Sequence, residues 1–97
     1  MKKRFSILEK PNCVFLDILD CDTEESFKLL RAKLEKELDC SFGEVAAAIY
    51  LIWVPFYFEN QKYDLIYDES DGSFIRAEPN NRRGLEVLKE KLEFILP

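Results

Sequence analysis

Apolar positions in this chain recur with two periods, and the switches between them divide it into elements. Residues 5–8 and 13–19 are strand-rich runs separated by Lys10-Pro11-Asn12, where proline presets φ and asparagine tolerates left-handed backbone. They read as a hairpin or as one broken strand. In the second run Val14, Leu16 and Ile18 alternate with Cys13, Phe15, Asp17 and Leu19, and two largely apolar faces predict an interior place in a sheet. Phe27, Leu30, Leu34 and Leu38 then follow at helical spacing, after a cap at Asp22 or Thr23; Glu25, three residues beyond Asp22, has the spacing of a capping box.

The next segment mixes signals. Ala46 to Ala48 prefer helix, whereas Ile49 to Phe58 are branched and aromatic and prefer strand, which we begin at about Tyr50. Tyr50, Ile52, Val54, Phe56 and Phe58 share one side of it; Leu51, Trp53, Pro55 and Tyr57 share the other. Pro55 has no amide hydrogen, which predicts an edge or a bulge. A turn at Glu59 to Lys62 leads into a strand in which Tyr63, Leu65 and Tyr67 alternate with Asp64, Ile66 and Asp68. A second turn at Asp68 to Gly72 starts a strand over 73–78. Pro79-Asn80-Asn81 ends the meander and offers an N-cap to a last helix with the stripe Leu85, Leu88, Leu92 and Ile95.

These elements predict an α+β, two-layer sandwich. Its sheet is mostly antiparallel with four or five strands, both helices lie on one face, and the order is ββαβββα, or βαβββα if the first runs are one strand. At 97 residues it is one domain.

Charge narrows the partners. A net charge of −5 repels phosphate backbones, so nucleic acid is not expected; the short basic groups are Lys2-Lys3-Arg4 and Arg82-Arg83, the latter in a helix first turn where an anion must offset the dipole. The longest uncharged run, Val45 to Phe58, has 14 residues against the roughly 20 that span a bilayer, so no membrane is expected. The N-terminus reaches Glu9, Lys10 and Pro11 before any long apolar stretch, unlike a secretory signal, which predicts a cytoplasmic location. Cys13, Cys21 and Cys40 are odd in number and without a CxxC pair, and read as buried reduced thiols.

Catalytic sets are scarce. With no histidine, neither a Ser-His nor a Cys-His pair exists, and no glycine-rich phosphate loop occurs among three glycines. Asp64 with Asp68 is the first carboxylate pair to inspect for acid–base work. Glu69, Asp71, Gly72 and Glu78 match positions of a calcium loop, but Tyr67 takes the place of its first ligand and the flanks read as strands. No metal, cofactor or catalytic residue is expected.

Between Phe42 and Phe74 lie nine of the 13 aromatic residues, and between Glu59 and Asp71 five carboxylates. The expected partner-binding residues are Trp53, Tyr57, Tyr63, Asp64, Tyr67, Asp68, Glu69 and Asp71, aromatics supplying contact area and carboxylates steering a basic partner. The run from Trp53 to Glu69, with its Phe58-Glu59-Asn60 turn, resembles small acidic α+β proteins of Gram-negative bacteria and is similar in character to toxin-neutralising immunity proteins. That resemblance implies occlusion of a toxin's basic active site. The leading expectation is a non-enzymatic protein-binding module. A homo-oligomeric domain meeting across Trp53 is the alternative, followed by a small-molecule enzyme or sensor using carboxylates.

Overall fold

Hairpins build most of the sheet. A computed structural model describes residues 5–96; Lys2, Lys3 and Arg4 lie outside the described residues. Strand β1 (Phe5–Lys10) pairs antiparallel with β2 (Cys13–Ile18) from Phe5↔Ile18 to Lys10↔Cys13, so Pro11 and Asn12 form a two-residue turn and the hairpin reading holds.

Helix α1 (Glu24–Glu37) starts at Thr23, whose hydroxyl accepts the Ser26 N–H at 3.0 Å while the Ser26 hydroxyl accepts the Thr23 N–H at 3.1 Å. The capping box therefore sits one residue later than the Asp22–Glu25 spacing suggests. Glu24 instead pairs with Lys28 one turn on. Phe27, Leu30 and Leu34 are buried, and Leu38 caps the end.

Two short strands precede the aromatic one: β3 (Ser41–Phe42) and β4 (Ala46–Ala48), both antiparallel to β5 (Leu51–Phe58). The alanines are thus extended, against their helical preference, because the turn at Ile49-Tyr50 folds them back on Leu51, Ile52 and Trp53. A two-residue turn, Glu59-Asn60, with φ of 50° and 67°, joins β5 to β6 (Gln61–Asp68); the strand starts earlier than expected because both residues accept left-handed backbone. Asp71 N–H donates to Asp68 C=O at 3.1 Å, and Gly72, at φ 81°, opens β7 (Gly72–Ala77). A helical turn (Pro79–Asn81) leads into α2 (Arg82–Ile95).

All pairings are antiparallel, in the order β1-β2-β7-β6-β5, with β3 and β4 one after the other along the outer side of β5. Among the described residues the sheet has seven strands, more than the four or five expected, the excess being β3 and β4. β2 is interior. β5 is not a free edge, and of the two expectations for Pro55 the bulge holds: between Phe42↔Phe56 and Ala46↔Trp53 the three residues 43–45 face the two residues Val54 and Pro55. The Pro55 C=O accepts the Gly43 N–H at 2.8 Å, so the side of Pro55 that lacks an N–H faces the bulge and costs no bond to β6.

One cluster holds the core, and it lies on one face. Val14, Leu16 and Ile18 of β2, Val54 and Phe56 of β5, Tyr63 and Leu65 of β6 and Ile75 of β7 meet Phe27, Leu30 and Leu34 of α1 and Leu85, Leu88 and Leu92 of α2. Both helices therefore cover the same side. An aromatic stack runs through it: Phe42 on Phe56 at 4.9 Å and Phe56 on Tyr63 at 5.3 Å between centroids, with the Arg31 guanidinium over Phe42.

The start of α2 is fitted to this stack. The Asn81 side chain makes no cap bond and is hydrogen-bonded to the buried Tyr63 hydroxyl. A Cβ on Gly84 would run into that hydroxyl and into Asn81, so the first turn of α2 closes on Tyr63 only with glycine there. Arg82 opposes the helix dipole, as expected, and the anions that compensate are internal: Glu9 of β1 and Glu86.

Candidate interaction surface

The helix-free face of the sheet is the surface on which most of the expected residues meet. Strand register lays it out in rows. One row crosses Asp17, Phe74, Ile66, Trp53 and Ala46; the next crosses Leu8, Phe15, Arg76, Asp64 and Pro55. Phe15 meets Phe74 edge to face at 5.4 Å and 83°. Ile66 is buried among its neighbours, Phe15, Phe74 and Trp53 are half-buried, and Leu8 and Tyr57 are exposed by 45% and 53%. Side chains on this face thus form an apolar band without a helix over it.

Charge is distributed unevenly around the band. In its middle the Arg76 guanidinium donates to Asp64 Oδ2 at 2.9 Å, a pair in partial contact with solvent. At one end stand Asp17, Asp68 and Asp71, with Lys62 towards the other. Asp68 Oδ1 accepts the Ser70 N–H at 2.8 Å, which fixes that turn. Leu8, Lys10, Phe15, Asp17, Asp71 and Phe74 line a shallow depression there. Partial burial raises the Asp17 carboxyl above the usual range, and the nearby Asp71 raises it further.

Of the eight expected residues, Trp53, Tyr57, Asp64 and Asp68 occupy this face, and Asp71 stands at its acidic end. Glu69 is exposed in the adjoining turn, its N–H bonded to Tyr50 C=O. Tyr63 and Tyr67 do not belong to it. Tyr63 is 1% exposed inside the core, where burial pushes its hydroxyl up, partly countered by the Asn81 hydrogen bond. Tyr67 leans on Phe27 of α1 at 5.8 Å and donates to Asp22 C=O at 3.2 Å. The helices cover the side of β6 that bears Leu65 and the tyrosines, so the aspartates take the open side. Sequence reasoning missed Phe15, Phe74 and Ile66, although the two-sided apolar alternation of 13–19 pointed to the first.

Asp64 and Asp68 are four residues apart on one strand face, about 13 Å by strand rise, too far to share a proton. The stretch from Tyr67 to Glu78 is a strand–turn–strand hairpin, not a calcium loop between helices. Among the described residues no group of three or more histidine, cysteine, aspartate or glutamate side chains is placed to hold a metal ion. Cys40 is buried as expected, its thiol pushed up to about 12 by burial and by Asp39 and Glu35, whereas Cys13 is only half-buried, at the margin of the open face. A groove of about 470 Å³ beside α1, lined by Leu29, Leu30, Lys33, Lys36 and Leu96, carries no catalytic grouping. Among the described residues no helix is long and apolar enough to cross a membrane.

Comparison with family models, with curated proteins and with solved structures found no match for this chain.

Proposed function

We propose that this chain is a non-enzymatic protein-binding module and that its binding surface is the helix-free face of the sheet. The observation that supports this reading is the uncovered band of Phe15, Phe74, Ile66 and Trp53, rimmed at one end by Asp17, Asp68 and Asp71. Half-buried aromatics on strands are rigid and give contact area at low entropic cost; carboxylates beside them draw in a cationic surface and slow the approach of an anionic one. The partner in this reading is a basic protein. Occlusion of a toxin's cationic active site is the use we assign to it, by a cytoplasmic immunity-type protein without cofactor or metal.

The test compares three immobilised baits: wild type, Trp53→Ser, and Asp68→Lys with Asp71→Lys. A basic protein retained by wild type is then measured by calorimetry and surface kinetics. Truncating Trp53 is expected to speed dissociation and cost about 2 kcal/mol or more. Reversing the two rim charges is expected to slow association and flatten its salt dependence. A partner that binds all three forms equally tightly would place the site elsewhere on the molecule.

A further inference from the structure

Strand β4 ends the sheet beyond β5, and its outer edge differs from the opposite edge of the sheet. Because the C=O of Pro55 points away from β6, the odd-numbered residues of β5 direct their backbone groups towards β3 and β4; Trp53 and Leu51 therefore bond Ala46 and Ala48, and the N–H and C=O of Ala47 point outwards. Among the described residues no hydrogen bond to those groups of Ala47 is present. Val45 and Ile49, two residues to either side, are exposed by 51% and 86%. The segment from Val45 to Tyr50 contains no charge and no proline. Natural sheets protect an edge by keeping its strand short or with a charge, a proline or a bulge; β4 has only three residues and follows a bulge at 43–45, but within the segment from Val45 to Tyr50 neither a charge nor a proline blocks pairing. The β1 edge has such devices, since it ends in Glu9 and Lys10 and Glu9 is bound to Arg82.

We infer that β4 is the pairing edge for a second copy of this chain, joined antiparallel about a two-fold axis at Ala47. The sequence is self-complementary in that register. Ala47 faces Ala47 of the other copy and exchanges two backbone hydrogen bonds with it, while Val45 faces Ile49 and Ala46 faces Ala48 in both directions, with no ion brought against an apolar side chain. A two-fold axis of this kind stands perpendicular to the sheet, so the helix-free faces of both copies look the same way. The row of Phe74, Ile66, Trp53 and Ala46 then continues into the row of Ala48, Leu51 and Asp68 of the other copy. Contact is made through β4, not across Trp53 itself.

The experiment is sedimentation velocity of the full chain from low micromolar to several hundred micromolar, with amide hydrogen exchange at Ala47. Wild type is expected to pass from monomer to dimer over that range, and the Ala47 amide to exchange more slowly as concentration rises. Ala47→Pro deletes the outward N–H without removing a bond to β5, and Ile49→Lys places a charge on each side of the axis at an exposed position. Each is expected to weaken the dimer by tenfold or more while leaving the monomer's circular dichroism unchanged. If Ala47→Pro disturbs the fold, Ile49→Lys alone decides. A wild type that stays monomeric throughout, or a dimer that survives Ile49→Lys undiminished, overturns the inference.

Discussion

The two faces of one sheet are built from the same strands and meet opposite fates. On β5, Val54 and Phe56 are sealed under the helices, while Trp53 and Tyr57, one residue away, look out from the open side. On β6, Tyr63 and Leu65 are sealed while Asp64 and Asp68 face out. Both faces are rich in apolar side chains, so composition alone does not separate the core from the open face. What separates them is whether a second layer arrives: both helix stripes fit the side formed by Leu16, Ile75, Leu65 and Phe56, and the other side keeps a band with carboxylates around it. Of the nine aromatic residues between Phe42 and Phe74, Phe42, Phe56, Phe58, Tyr63 and Tyr67 pack on or within the core, which leaves Trp53, Tyr57 and Phe74 on the open face and Tyr50 in a turn.

The sharpest way to break this contrast is to truncate the buried stripe of each helix. Leu34→Ala and Leu88→Ala, each at a fully buried position, are expected to lose about 2 to 5 kcal/mol in urea titrations. Near-zero change at both would remove the core assignment. Next in size is the fit of α2 on Tyr63. Gly84→Ala is expected to cost about 1 to 3 kcal/mol by overpacking, and Tyr63→Phe about 1 kcal/mol through the lost hydroxyl bond. Because the hydroxyl is one of the atoms the new Cβ meets, the double variant should lose less than the sum. Strict additivity would show that the two do not touch.

Smaller effects belong to the open face. Trp53→Ser is expected to cost less stability than Leu88→Ala, and wild-type Trp53 fluorescence to be partly quenched by acrylamide in the monomer; full protection there would make the open face core. The smallest is electrostatic. The raised Asp17 carboxyl binds its proton more readily in the folded chain than in the unfolded one, so its ionisation opposes folding above the folded value and this cost fades as pH falls towards the unfolded value of 3.8. Asp17→Asn should therefore raise the melting temperature slightly at pH 7 and hardly at all near pH 4. An equal gain at both would exclude titration as the cause.

Much of the fold was legible because its signals are local. Phe27, Leu30 and Leu34 share a helix face wherever that helix docks, and Val54 and Phe56 lie opposite Trp53 and Tyr57 in any extended chain. The same periodicity also gave the helix of Leu85, Leu88 and Leu92 and the interior place of β2. The capping box was misplaced because Thr23–Ser26 and Asp22–Glu25 offer the same spacing, and only the fixed path of the chain selects between them. The open face was half legible: Trp53, Tyr57, Asp64 and Asp68 were picked out together, but Phe74 and Phe15 come from strands distant in sequence and join them only through register.

The sequence by itself determined the periods, the approximate places of the turns other than Ile49-Tyr50, and the class of fold, because each depends on backbone preferences and side-chain spacing within a few residues. Only tertiary structure decided which side of β6 is inside, since alternation defines two faces and the docking of α1 and α2 chooses one. It also decided that Ala46–Ala48 is a strand, where pairing with Leu51, Ile52 and Trp53 outweighs a helix preference of a few tenths of a kcal/mol per residue, and so created the uncharged edge at Ala47.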